Sequence, residues 1–279
     1  MSRPSAVRHA LGHAAVVAAT GAALYPVLWV IKMALSPGQA FDPSPSPWPR
    51  VVSLQNFRDL WGLGGTGHLW RELGNSLIVA VATALVGLLS SATAAFAFSR
   101  LRFRGRQASL AFFLATQMFP GIMMAIPLYI LLDDLRLLDS LTGLVLVYST
   151  TSVPFCVWSL KGYLDTLPRE LDEAARIDGA TSWQIFWKVI LPLARPALAV
   201  TALFAFLSAW NEYILAATFL GDARKYTLPV ALQSYVGEYH TEWGHFAAGA
   251  IVVSIPVMLV FFALQKHLVA GLTAGGVKG

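Results

Sequence analysis

The sequence predicts an all-α membrane protein of six transmembrane helices. Three observations carry that expectation. Hydrophobic residues make up 56% of the 279, charged residues only 13%, and the mean hydropathy is +0.61; soluble domains carry about 25% charged residues. Six apolar stretches are each long enough to cross a hydrocarbon core of about 30 Å, which takes about 20 residues at 1.5 Å each. None of the six alternates apolar and polar residues as a β-barrel strand of about 10 residues would.

The stretches are Leu11–Leu35, Asn75–Phe98, Ser109–Leu132, Leu141–Leu160, Ala197–Leu220 and His245–Leu268. The basic residues orient them, because Lys and Arg favour cytoplasmic loops. With both termini cytoplasmic, that side collects Arg3, Arg8, Arg100, Arg102, Arg104, Arg106, Lys161, Arg169, Arg176, Lys188, Arg195, Lys266 and Lys278. The other side holds Arg50, Arg58, Arg71, Arg136, Arg224 and Lys225, with Lys32 near the end of the first span. The pI near 9.5 therefore reflects topology, and no nucleic-acid partner is expected. Cys156, the single cysteine, lies in the fourth span and allows no internal disulfide. The first span is too long for a signal-peptide core and is expected to be retained.

Between the first two spans, Pro43, Pro45, Pro47 and Pro49 favour an extended path. Leu54 to Trp61 then reads as a short amphipathic helix at the outer interface, where Trp48, Trp61 and Trp70 suit an aromatic belt. Small residues along the second span permit close helix approach. Pro120-Gly121 and Pro127 should kink the third span inside the bundle. In the fifth, Asn211 and Glu212 are candidates for the translocation path or a gate, since a carboxylate at membrane depth faces water or a bundle interior. The outer loop Gly221 to Gly244 offers Tyr235, Tyr239 and Trp243 as contacts for a ligand or a delivering protein.

Several apparent motifs lack their context. Gly62-Leu-Gly64-Gly-Thr-Gly67 matches a dinucleotide fingerprint in letters, but lies in an outer loop without a βαβ unit. Near the C-terminus, Gly271 to Lys278 misplaces the lysine of a P-loop and has no following helix. Glu238, His240, Glu242 and His245 fit no familiar metal spacing. No nucleophile elbow occurs. The chain is expected to hold no catalytic, cofactor-binding or metal-binding residue and to be no enzyme.

Residues 161–195, between the fourth and fifth spans, form a structured polar insert. Thr166 at a cap and Pro168 in the first turn open a helix, Leu171 to Ile177 give it an apolar side, and Gly179 ends it. Thr181 caps a second helix, Ser182 to Ile190, whose Trp183, Phe186, Trp187 and Ile190 share helical spacing; Pro192 ends that one. Sparse large anchors beside small residues suit a groove in another protein.

Glu173-Ala174-Ala175, Gly179, Val189 and Leu191-Pro192 follow the pattern E-A-A-x3-G-x9-hydrophobic-x-L-P, with Val in place of the commoner Ile. This resembles the permease subunits of binding-protein-dependent ABC importers, and the likeness runs from about Arg71 to the end. Gln117-Met118-Phe119-Pro120, Asp178-Gly179-Ala180-Thr181 and the tail Gly271 to Gly279 are similar to the MalG type of maltose/maltodextrin subunit. The resemblance implies a type I (MetI-like) importer fold in the bacterial inner membrane. Residues 1–70 would be an N-terminal helix and outer loop, 71–268 the permease core, and 269–279 a cytoplasmic tail.

The resemblance further implies that Glu173, Ala174, Ala175, Asp178 and Gly179 dock an ATPase. Gly275, Gly276 and Lys278 of the tail would contact the ATPases. The implied partners are a second, MalF-like permease, two MalK-like ATPases carrying ATP and Mg, and an extracytoplasmic sugar-binding protein that meets the outer loop. Maltodextrin is the expected cargo, with trehalose or another oligosaccharide as alternatives. A secondary transporter acting alone would favour internal repeats and paired intramembrane charges, and neither is evident.

Overall fold

The computed structural model describes residues 6–63, 68–237 and 239–276, with side chains described between residues 11 and 266. The helices are α1 (Ala6–Leu35), α2 (Gln55–Leu60), α3 (Leu69–Arg100), α4 (Arg106–Gln117), α5 (Ala125–Asp134), α6 (Leu141–Thr166), α7 (Glu170–Ile177), α8 (Ser182–Ile185), α9 (Leu191–Leu193), α10 (Arg195–Trp210), α11 (Ile214–Phe219), α12 (Leu228–Gln233) and α13 (Trp243–Gly276). No strand occurs among the described residues, only an isolated bridge between Val236 and Thr241. Four helices can span a membrane unaided: Leu11–Leu35 within α1, α3, α6 and Trp243–Lys266 within α13. Two bent pairs, Arg106–Gln117 with Gly121–Asp134 and Ser182–Leu193 with Arg195–Trp210, bring the number to six.

Two compact units divide the chain. One comprises residues up to 70 together with 231–255. Here the end of α1 is tied down by side chains rather than left frayed. Asn56 of α2 donates to the carbonyls of Ala34 and Ser36 at 3.1 and 2.9 Å, which α1 itself cannot satisfy. Lys32, 1% exposed, donates to Ser44 Oγ (2.7 Å) and Ser44 O (2.9 Å) and meets Asp42 at 2.8 Å. These bonds draw the proline-rich loop back onto α1. Gly244 abuts the chain at Gly38, whose carbonyl oxygen would lie 2.5 Å from any Cβ placed there.

The second unit comprises residues 71–230 and those from 256 onward. Its centre is the antiparallel pair α6 and α10, in register through Tyr148 with Glu212, Cys156 with the Thr201 carbonyl, and Phe155 with Phe204. The third span is bent by 96° between α4 and the 3-10 turn Gly121–Met124, as the Pro120-Gly121 pair predicts. The fifth span departs from expectation. It starts at Arg195, runs 16 residues (about 24 Å) and stops at Trp210 instead of continuing to Leu220. The cause is Glu212, whose carboxylate accepts the N–H groups of Leu215 (2.8 Å) and Ala216 (3.0 Å). It thereby starts a new helix, α11, where an apolar pattern alone reads as continuous.

Candidate functional site: the insert between the fourth and fifth spans

The insert begins later than its sequence suggests. Helix α6 persists to Thr166, whose hydroxyl bonds back to the Tyr163 carbonyl (2.7 Å), so Thr166 caps nothing. Pro168 stands just ahead of α7, which opens after Arg169. Glu170, Asp172 and Glu173 fill its first turn, where carboxylates complement the exposed N–H groups.

Its end is the glycine turn that Gly179 predicts. Gly179 has φ +83°, its N–H reaches Arg176 O (3.0 Å), and that of Ala180 reaches Ala175 O (2.9 Å). These are the two bonds of a Schellman motif. Thr181 then forms a full capping box: its hydroxyl accepts from Gln184 N (3.3 Å) while its own N–H donates to Gln184 Oε1 (2.8 Å). The second helix is not regular. A π turn, Phe186–Ile190, precedes Pro192, and the helix runs on to Leu193 rather than ending at the proline.

The two helices divide their apolar residues between an inner and an outer face. Phe186 and Ile190 are buried in a cluster with Ala92, Phe96, Leu160 and Leu164, and the rings of Phe96 and Phe186 lie 5.2 Å apart. Their expected role as anchors for a partner is therefore corrected: they hold the insert to its own bundle. Trp183, Trp187, Leu171 and Ile177 are exposed, Ile177 at 87%. Glu173, Ala174, Asp178 and Gly179 are exposed beside them, while Ala175 is half-buried. The outer face thus carries four large apolar side chains among carboxylates, on helices fixed from behind.

Polar contacts complete the fixing. Arg100 at the end of α3 meets Asp172 at 3.0 Å, their side chains 4% and 9% exposed, and also donates to Leu167 O at 3.1 Å. Ser99 donates to Asp165 (2.7 Å), which also pairs with Lys161 (2.6 Å). Sequence reasoning missed these residues. Arg100 counted only as an orientation signal, although an arginine at the end of an apolar span is itself a cue to such a partner.

The other predicted residues are not gathered with the insert. Glu212 takes a hydrogen bond from the Tyr148 hydroxyl (2.5 Å) besides capping α11, while exposed Asn211 donates to Leu207 O (3.0 Å). Of the loop aromatics, Tyr235 lies 5.4 Å from the His245 ring and Trp243 5.2 Å from Phe41. Tyr239 is 96% exposed, on the turn closed by Gly237 N to His240 O. His245 sits between Glu242 (2.6 Å) and Asp59 (3.4 Å), and no group among the described residues could hold a metal. Gly275 and Gly276 end α13, whereas Lys278, like Glu238 and Gly64 to Gly67, lies outside the described residues.

A long-span bundle carrying a helical insert, packed against the spans on one side and exposed on the other, defines a polytopic membrane protein with a structured extramembrane element. Residues 87–274, more than half the chain, match the family model described as "Binding-protein-dependent transport system inner membrane component". The chain belongs to this family and is a multi-pass inner-membrane permease of MetI-like fold. It is 38% identical over 274 residues to the maltose/maltodextrin permease MalG of Yersinia pestis, covering 92% of this chain and 89% of that one. It is 36% identical over 257 residues to the diacetylchitobiose uptake permease DasC of Streptomyces coelicolor, covering 92% of each. A crystal structure of a bacterial ABC transporter that imports the acidic polysaccharide alginate superposes with a TM-score of 0.80 at 26% identity, over 96% of this chain and 100% of that one.

Proposed function

We propose that this chain is one permease half of an ATP-driven carbohydrate importer, of the maltose/maltodextrin type, and that its insert is the handle through which separate ATPases move it. The observation that carries the reading is the two-sided insert: Phe186, Ile190, Asp172 and Arg100 lock it to the spans, and Leu171, Ile177, Trp183 and Trp187 face outward. A mere connector needs neither a Schellman turn nor a capping box. Glu173, Ala174, Ala175, Asp178 and Gly179 dock the ATPase, on the cytoplasmic side given the arginine placement. Gly275, Gly276 and Lys278 extend that contact. This chain binds no cofactor; ATP and Mg belong to the ATPases.

A second permease completes the path, and a soluble saccharide-binding protein delivers cargo to the loop bearing Tyr239. The relatives' named saccharides differ, so trehalose or another oligosaccharide is the alternative cargo. Vesicles carrying the full complex, loaded with ATP and supplied with receptor, should accumulate labelled maltodextrin. Accumulation by this chain without any ATPase would refute the reading.

A further inference from the structure

The turn between the second and third spans, residues 101–105, joins two apolar helices, α3 and α4, and so lies at a membrane surface. An open cleft of about 520 Å³ forms there, lined by Arg102, Phe103, Gly105, Arg106, Gln107 and Ala108. Sites for small molecules measure about 300–1,000 Å³. Basic loops orient a membrane chain, but orientation does not require two arginines to share one cleft.

The cleft collects donors from both side chains and backbone. Neither Arg102 nor Arg106 makes an ion pair among the described residues. Arg106 is half-buried, and its Nε has no hydrogen-bond partner. Asp165 lies in the field of Arg106, but its oxygens are engaged by Lys161 at 2.6 Å and Ser99 at 2.7 Å. Gly105, at φ +86°, is the N-cap of α4 and offers no side chain, and the first turn holds no acidic residue. The N–H groups of Arg106, Gln107 and Ala108 thus emerge at the positive end of a 12-residue helix, where the same three residues wall the cleft.

The adjoining surface favours a lipid over a soluble anion. Ala108, Ala111, Phe112 and Ala115 follow i, i+3, i+4, i+7 and are all exposed, an apolar face that leads from the cleft into the membrane. Phe103 stands at the rim, 43% exposed, its ring 5.6 Å from that of buried Phe98. An anionic phospholipid matches both parts, with its phosphate at the arginines and its acyl chain along α4. A zwitterionic lipid would bring an ammonium group to the same arginines.

We propose that this cleft binds the phosphate of an anionic phospholipid, with Arg102, Arg106 and the first-turn N–H groups of α4 as its donors. The test uses the assembled complex in vesicles of phosphatidylethanolamine and phosphatidylglycerol. One lipid at a time carries a photoactivatable acyl chain, and mass spectrometry reads the cross-links on α4. Phosphatidylglycerol should label Ala108 to Ala115 about tenfold more than phosphatidylethanolamine does. The double variant Arg102→Gln with Arg106→Gln should lower that labelling about tenfold. Gln107→Glu should do the same, because its carboxylate favours the helix start yet repels phosphate. Arg104→Gln removes one charge from outside the cleft and should change labelling by less than about twofold, as should excess inorganic phosphate.

Equal labelling by the two lipids would overturn the proposal. So would a loss in Arg104→Gln as large as that in the double variant, which marks general surface charge. Displacement by inorganic phosphate would make a soluble anion the ligand, and labelling seen only without the second permease would make the face a subunit interface; either result overturns the site. Undiminished labelling in Gln107→Glu would do so too, and that variant alters neither arginine, so it decides the matter even where the double variant fails to assemble.

Discussion

Replacing Asp172 by Asn leaves Arg100 buried without its counter-charge, and this is the sharpest way to ask what holds the insert. Both side chains are nearly inaccessible and their charged atoms meet at 3.0 Å. Removing one partner of a buried pair costs about 3–5 kcal/mol. Two features favour the lower end. Arg100 keeps its bond to Leu167 O, and Arg100 Nε and Asp172 Oδ2 approach without a well-aligned hydrogen bond. A loss of about 3 kcal/mol corresponds to about 150-fold in the ratio of docked to undocked insert.

Hydrogen exchange of the complex in lipid nanodiscs reads this ratio directly, through the backbone amides of α7. In Asp172→Asn they should exchange about 100-fold faster, while amides in the middle of α6 are unaffected. The double variant Arg100→Met with Asp172→Leu should return to near wild-type protection, because an apolar pair of similar volume removes the stranded charge. A change below about threefold in the single variant would refute the reasoning. So would a double variant no better protected than the single ones.

Further outcomes follow from single positions. At φ +83° and with nothing within 4 Å of an added Cβ, Gly179→Ala should cost about 1 kcal/mol by backbone strain alone, Gly179→Asn less; thermal unfolding of the complex and uptake report both. Gly143→Ala places a Cβ against the Leu137 carbonyl and should destabilise the start of α6 by about 2–3 kcal/mol, seen as a lowered Tm. Asp42 is held down to about 2, first by the hydrogen bond from Lys32 and then by those from Ser44. Its folded value is depressed, so its contribution is present above about 4 and lost as pH falls toward 2. Protease cleavage in the loop after α1 should therefore be unchanged between pH 5 and 8.

The spans were legible because twenty-residue apolar runs leave little else for the backbone to do in lipid. The insert's turn was legible for a local reason: Gly179 and Thr181 act on neighbouring backbone groups, and both bond as their residue types dictate. Three features were hidden, and each depends on a contact beyond the local pattern. Glu212 breaks the fifth span by turning back on Leu215 and Ala216, within a run whose hydropathy reads as one helix. Phe186 and Trp187 are adjacent aromatics of equal promise, yet Phe96, ninety residues earlier in the chain, takes the first and leaves the second exposed. The Arg100–Asp172 pair spans seventy-two positions, and periodicity carries no record of it.

The claim that the exposed face of the insert receives a separate ATPase is tested most directly by paired cysteines. One is placed at Ala174 of this chain, in a background with Cys156 replaced by Ser, and the others are scanned across the ATPase surface. Cross-linking should be efficient at one ATPase patch, should be lost with Ile177→Asp, and should abolish ATP-dependent maltodextrin uptake until reduced. Efficient uptake with no cross-link at any ATPase position, or uptake untouched by Ile177→Asp, would contradict it.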